Sequence, residues 1–217
     1  EFFRNVATLM TGSTIAQVIA LAIYPILSDI YSPEEHGLFS LYMSIIAITG
    51  ILSTGRYQIA ILMPKEDKRA MNLVALGMSI AVVVSLILLL VVILFRSEIS
   101  SLFKNEGLEH WLWFVPLSTF LIAIFQGSIY WFNRHKNFRH TASANLAQSV
   151  TNSGVKLSTS SAIQGGGGLI AGALTGQIVG AFWFLVQWLR KFSAHFRSVS
   201  FSGMKSVAKE YYRFPSF

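Results

Sequence analysis

Two basic residues stand where a cation is costly, and both are of types that bind phosphate. Arg56 closes the charge-free run that starts at Gly37, and the apolar stretch Ile59 to Met63 follows it before Pro64 and Lys65. A helix continuing to Pro64 draws Arg56 into the edge or interior of a bilayer, at a cost of about 2.5 kcal/mol or more on insertion scales. Such a cost demands a partner. The planar guanidinium matches a pair of phosphate oxygens; the competing reading has it snorkel to headgroups or pair with Gln and backbone groups. Lys156 poses the same two alternatives inside the polar stretch TASANLAQSVTNSGVKLSTSSAIQ over 141–164.

Other chemistry is hard to find. His36, His110, His135, His140 and His195 form no His-Glu-x-x-His motif and no four-residue pair, so no metal site is expected. With no cysteine, disulfides and cysteine-ligated metal or haem are excluded. There is no Gly-x-Ser-x-Gly elbow and no Walker loop; Gly165–Gly168 lacks the Gly-Lys-Ser/Thr that a phosphate loop needs, and reads as a flexible turn. All ten acids can be placed outside the hydrocarbon, which leaves no buried carboxylate for a proton relay. The expectation is a chain that is not an enzyme and has no cofactor.

The elements that carry these residues follow from composition. Of 217 residues, 53% are hydrophobic and 12% charged, against roughly 25% charged in soluble domains; mean hydropathy is +0.55. Charge-free runs long enough to cross a core of about 30 Å mark the spans. The reading is an all-α, polytopic membrane helix bundle of six transmembrane helices over about 5–28, 37–64, 70–95, 111–133, 141–164 and 168–189, followed by a basic cytoplasmic segment over 190–217. Arg4 and Ala20-Leu21-Ala22 loosely resemble a cleavable signal, but Thr11-Gly12-Ser13-Thr14 and Gln17 interrupt the run. Pro25 and Pro116 fall inside spans 1 and 4, where each tends to kink its helix.

The fifth span is too polar to face lipid, and hydropathy alone makes it a loop. Charge argues otherwise. With six spans, fourteen of the seventeen Lys and Arg fall on one side, giving net +10 there and −3 on the other, as the positive-inside bias requires. A looped fifth span would put the basic tail on the wrong side. The stretch is therefore expected to cross behind its neighbours and line a wet or polar interior, with a re-entrant or surface segment as the lesser alternative. The basic excess is thereby explained as topology, and nucleic acid is not expected as a partner. On span 6, Gly168, Gly172, Gly176 and Gly180 share one helix face, the mark of close helix packing, with a substrate groove as the lesser alternative. Gly12, Ala16 and Ala20 make a milder version on span 1.

Several segments carry a resemblance. Thr11-Gly12-Ser13 through Pro25-Ile26-Leu27, the loop Tyr31-Ser32-Pro33-Glu34-Glu35-His36-Gly37 and the block Arg56-Tyr57-Gln58-Ile59-Ala60-Ile61-Leu62-Met63-Pro64-Lys65 resemble bacterial polysaccharide-biosynthesis flippases. So do Ala70-Met71-Asn72-Leu73 and the closing Tyr212-Arg213-Phe214-Pro215-Ser216-Phe217. The resemblance covers nearly the whole chain and implies the multidrug/oligosaccharidyl-lipid/polysaccharide exporter fold, two six-helix bundles around a cavity. It implies translocation of undecaprenyl-pyrophosphate-linked repeat units for O-antigen, capsule or exopolysaccharide across the bacterial inner membrane, with both termini cytoplasmic. In that frame Arg56 and Lys156 neutralise pyrophosphate, while Gln17, Gln58, Asn145, Gln148 and Asn152 present polar groups to sugars. Implied partners are the lipid-linked oligosaccharide, membrane lipids, a second bundle, a polymerase and glycosyltransferases. Gln58 stands where the family signature has glutamate, and Asp29 where relatives often carry a basic residue. The second bundle is not in this sequence, so the expectation is an N-terminal half that does not transport unless paired. Two other functions stay open: a cation-coupled small-molecule exporter of the same superfamily, and a non-transporting assembly component.

Overall fold

The computed structural model describes residues 2–163 and 165–214. Gln164 at the end of the fifth predicted span and Pro215-Ser216-Phe217 of the closing motif lie outside the described residues. The described chain is helical, with no strand among those residues. The helices are α1 (Phe2–Ile30), α2 (Pro33–Leu52), α3 (Tyr57–Ala60), α4 (Asp67–Leu102), α5 (Glu106–Trp111), α6 (Val115–Arg134), α7 (Phe138–Ser158), α8 (Gly167–Lys191) and α9 (Phe201–Glu210). Short 3₁₀ segments, Leu112–Phe114 and Ser193–Ser198, join α5 to α6 and α8 to α9. Five stretches are long and apolar enough to cross a membrane: Ser13–Ile30, Pro33–Leu52, Asp67–Leu102, Glu106–Arg134 and Gly167–Lys191. This is an all-α membrane bundle.

Local chemistry sets several boundaries. Ser32 caps α2: its hydroxyl accepts from the Glu35 amide at 3.3 Å while the Glu35 carboxylate accepts from the Ser32 amide at 2.8 Å, with Pro33 opening the first turn. The second predicted span does not run unbroken to Pro64. α2 stops at Leu52, and Gly55 and Arg56 take left-handed conformations at φ 53° and 57°. One glycine tolerates that region; a following arginine there is uncommon. The four-residue α3 then leads into an irregular turn before α4. Pro116, expected to kink a helix, lies instead in the first turn of α6, where its missing N–H leaves nothing unsatisfied. Pro25 does lie inside α1. Of the four consecutive glycines, Gly165 and Gly166 form a turn at φ 69° and 77°, whereas Gly167 and Gly168 already belong to α8.

α7 is the helix that hydropathy does not find. Its 21 residues reach about 31 Å, and it lies against α1 on one side and α8 on the other. Against α8 it runs antiparallel. A Cβ on Gly172 would come 2.7 Å from the Asn152 carbonyl oxygen, on Gly176 2.9 Å from the Gln148 carbonyl oxygen, and on Gly180 3.4 Å from Gln148 Cβ. Absent side chains let the two backbones meet. Against α1 it runs parallel, because contacts advance together along both chains: Asn145 Nδ2 to Ser13 Oγ at 3.4 Å, Ser149 Oγ to the Ala16 carbonyl at 2.8 Å, and Tyr31 Oη to the Lys156 carbonyl at 2.6 Å. Elsewhere the bundle uses hydroxyl pairs between α2 and α6, Tyr42 with Ser118 at 2.9 Å and Thr49 with Thr119 at 2.8 Å. Such interhelical bonds contribute about 0.6 kcal/mol each on average.

The loops gather at two ends. At one, the α1–α2 corner meets the α7–α8 turn, where Glu35 accepts from the Gly166 amide at 2.8 Å and the Trp111 ring backs Gly167. At the other, Arg134 holds the loop before α4, and Asn72 holds the segment before α9 through Ser198 and Ser200. An aromatic cluster fills that second end: the Trp131 and Trp188 rings stack at 4.9 Å, with Phe132, Phe192 and Phe184 packed around them. The loops rich in Lys and Arg share the Arg134 end, and Arg96, Lys104 and Lys156 lie toward the Glu35 end.

Candidate functional site

The predicted polar residues fall into two recesses. The first, about 350 Å³, lies among α2, α3 and α6 and is lined by Arg56, Gln58, Gln126 and Tyr130 with Ile46, Ala47, Gly50, Ile51, Ile59 and Ile122. Its backbone explains why Arg56 is there. The break after Leu52 leaves Arg56 as the residue before α3, half-buried at the foot of an apolar wall. Left-handed backbone at a non-glycine residue costs of order 1–3 kcal/mol and persists only where the surroundings hold it. Here Ser53 Oγ donates to the Gly50 carbonyl at 2.6 Å and Thr54 Oγ1 donates to Gln58 Oε1, so the turn is tied on both sides of Arg56. The arrangement sets one guanidinium beside two amide side chains and a phenol, which can bind an anion and hydrogen-bond hydroxyl groups around it.

Gln126 and Tyr130 are not among the binding residues expected from the sequence. Their signal was present: they are four apart on α6, on one helix face, in an otherwise apolar span. What the sequence could not show is that this face looks onto Arg56.

The second recess, about 390 Å³, lies between α1 and α7 and is lined by Ser13, Ala16, Gln17, Ala20, Asn145, Gln148, Ser149 and Asn152. Four predicted residues, Gln17, Asn145, Gln148 and Asn152, thus line one groove. Ala16 and Ala20 make room on α1, while Asn145, Gln148, Ser149 and Asn152 follow the helical repeat along α7. Gln17 is exposed, and Asn152 Oδ1 is buried with no hydrogen-bond partner among the described residues. The groove therefore has unfilled hydrogen-bonding capacity, at a depth where lipid offers none.

Lys156 lines neither recess. It is one turn beyond Asn152 on α7, with its ammonium over the Phe39 ring at 4.4 Å from the centroid and its methylenes against Gly172. Its own carbonyl accepts from Tyr31. Burial raises the Tyr31 phenol above its ordinary range, so it remains a donor at neutral pH. Arg56 and Lys156 are thus held by different helices around different spaces. Gly168, Gly172, Gly176 and Gly180 lie where α8 meets Thr159, Asn152, Gln148 and Phe125, under the polar face of α7.

A family model described as polysaccharide biosynthesis protein matches residues 26–213. The chain belongs to that family. The match takes in the Ser32–Gly37 corner, the Arg56 turn, the glycine face of α8 and the docked α9. No curated protein and no solved structure matches it significantly.

Proposed function

We propose that this polysaccharide biosynthesis protein moves undecaprenyl-pyrophosphate-linked oligosaccharide repeat units across the bacterial inner membrane, and that it works as a flippase rather than an enzyme. The observation that carries this reading is the groove between α1 and α7. A run of amides and hydroxyls at membrane depth is costly against lipid, and is stable beside water, a polar ligand or another polar surface. α7 lies parallel to the apolar α1 and antiparallel to the apolar α8, which supports a sixth crossing; with the positive-inside bias, this reading has the amino- and carboxyl-terminal ends of the bundle on the cytoplasmic side. In this reading Gln17, Asn145, Gln148 and Asn152 meet sugar hydroxyls. Arg56, assisted by Gln58, Gln126 and Tyr130, meets the pyrophosphate. Lys156, sealed over Phe39, raises the local positive potential without touching phosphate in this conformation. The open side of the α1–α7 groove is closed by a second helical bundle, and alternating access rocks the two about the bound lipid.

The test is a leaflet assay in cells that produce the bundle together with its second half, scoring exposure of lipid-linked oligosaccharide to an added glycan-binding reagent. Arg56→Ala is expected to lower translocation about tenfold or more with normal membrane insertion, since a charge-assisted pair contributes about 1.5–3 kcal/mol. Arg56→Lys is expected to fall between, because it keeps the charge and loses the planar fork. Unchanged translocation in Arg56→Ala removes this residue from the mechanism.

A further inference from the structure

The Arg134 end of the bundle carries a third recess that the reading above leaves unused. The loop before α4 and the loop before α7 face each other across a cavity of about 690 Å³. One wall is Leu62, Met63 and Pro64; the other carries Asn133, Lys136 and Phe138. Leu62 and Met63 are 46% and 58% exposed, so the cavity has an apolar lip open to the surroundings of the bundle.

Arg134 gives the cavity its shape. Its Nε donates to Asp67 Oδ1 at 3.1 Å, one terminal nitrogen to the Pro64 and Ile61 carbonyls at 2.6 and 3.3 Å, and the other to the Lys65 carbonyl at 3.1 Å. Its guanidinium is thereby committed to the loop and to Asp67. Asp67, the one carboxylate in the lining, is also met by His135 Nε2 at 3.3 Å. The remaining cations are Lys65 and Lys136, both exposed, whose ammonium groups make no hydrogen bond or ion pair among the described residues. Lys136 is held at φ 56°, its amide bonded to the Asn133 carbonyl at 3.0 Å, which fixes where its side chain leaves the backbone. Asn133 Oδ1 accepts from Thr141 at 3.2 Å, which leaves its NH₂ group as a donor.

Two ammonium groups and an amide donor beside an apolar lip match an anionic group carried on a hydrocarbon chain. Phosphate is the anion that uses several donors at once. We propose that this cavity binds the phosphate headgroup of an amphiphile, with Lys65, Lys136 and Asn133 on its oxygens and the first carbons of its chain on Leu62, Met63 and Phe138. Two lipids share that chemistry: a bulk anionic phospholipid and the polyprenyl-pyrophosphate carrier. The site stands apart from the flippase reading. Only the carrier as its occupant rests on that reading, and the cavity is then where the carrier is collected in the cytoplasmic leaflet before it reaches Arg56.

The test titrates the purified full chain with labelled farnesyl pyrophosphate, a short soluble polyprenyl pyrophosphate. Lys65→Gln/Lys136→Gln is expected to weaken binding about tenfold or more, and Lys65→Arg/Lys136→Arg to stay within about twofold of the parent, since both keep the charge. Both lysines are exposed, and an unchanged melting temperature verifies the fold of each variant. Competition by phosphatidylglycerol in mixed micelles assigns the site to bulk phospholipid; no competition assigns it to the carrier. Wild-type affinity in the double glutamine variant overturns the proposal, as does equal binding of farnesol or equal competition by inorganic pyrophosphate. Loss of binding in Arg56→Ala with none in the double glutamine variant defeats this site and leaves the flippase reading standing. The reverse pattern defeats Arg56 and keeps the site.

Discussion

Glu35 and Gly166, 131 positions apart, are joined at 2.8 Å, carboxylate oxygen to backbone amide. The other oxygen of the same carboxylate accepts from the Ser32 amide, also at 2.8 Å. One side chain thus caps α2 and pins the turn between α7 and α8. Position 166 in that turn has no room for anything but glycine: at φ 77°, a Cβ there would lie 2.9 Å from the Glu35 carbonyl oxygen.

Glu35→Ala is accordingly expected to destabilise the bundle by about 1–3 kcal/mol, the range for losing charge-assisted hydrogen bonds. Gly166→Ala is expected to cost about 1–2 kcal/mol from the left-handed backbone alone, with the steric contact in addition. Thermal unfolding in detergent measures both. Wild-type midpoints would mean that the corner and the turn are not coupled.

The α7–α8 interface makes a second prediction. Gly176→Val places branched carbon where the Gln148 carbonyl oxygen and Asn152 Cβ already stand 2.9 Å from the position of a bare Cβ. Overpacking of this kind costs about 1–3 kcal/mol, and here it also pushes the polar face of α7 away from α8. The yield of folded protein by size-exclusion chromatography should fall well below that of Ile178→Val, a change on the exposed face of the same helix. Equal yields contradict the packing described.

Arg134 should tolerate no substitute. It is 12% exposed and bonds to three carbonyls and to Asp67. Arg134→Lys keeps the charge but cannot reach all four acceptors from one nitrogen. It is expected to destabilise nearly as much as Arg134→Ala, by about 1–3 kcal/mol, since partly buried acceptors lose their donors. A lysine variant as stable as the parent would refute the assigned role.

Asn72 docks α9 onto α4. Its amide donates to the Lys68 and Ser198 carbonyls at 2.7 and 3.3 Å, and its oxygen accepts from the Ser200 amide at 3.0 Å. Gly203 packs directly against it. Asn72→Ala is expected to release the 197–210 segment, raising its rate of cleavage by trypsin about tenfold, the effect of losing about 1.4 kcal/mol from local closure. No change in cleavage would show that α9 is held by other contacts, such as Val207 or the Arg69–Glu210 ion pair.

How much of this was legible follows from what each residue's signal depends on. The apolar helices announce themselves because lipid permits few charges over about twenty residues, and α1, α2, α4, α6 and α8 fall where those runs fall. α7 carries no such signal; only the alternation of Lys and Arg across the loops indicates it. The break at Gly55 and Arg56 leaves no trace in the pattern, because the apolar stretch from Ile59 to Met63 reads as more helix and a left-handed pair is decided by side-chain bonds such as Thr54 to Gln58. Asn145, Gln148 and Asn152 could be placed together by helical spacing alone. That Gln17 joins them, that Gln126 and Tyr130 join Arg56, and that Lys156 joins neither group depend on which helices touch. Local pattern does not encode that.

The polar groove requires that α7 cross the membrane, with the α7–α8 turn on the opposite side from the loops rich in Lys and Arg. The sequence contains no cysteine, so single substitutions can be labelled without background. Ser161→Cys in that turn and Ser202→Cys in α9 are both exposed positions. In intact cells a membrane-impermeant maleimide should label Ser161→Cys, and should label Ser202→Cys only after permeabilisation. Labelling of both from the same side would contradict the crossing, and with it the polar groove on which the functional reading stands.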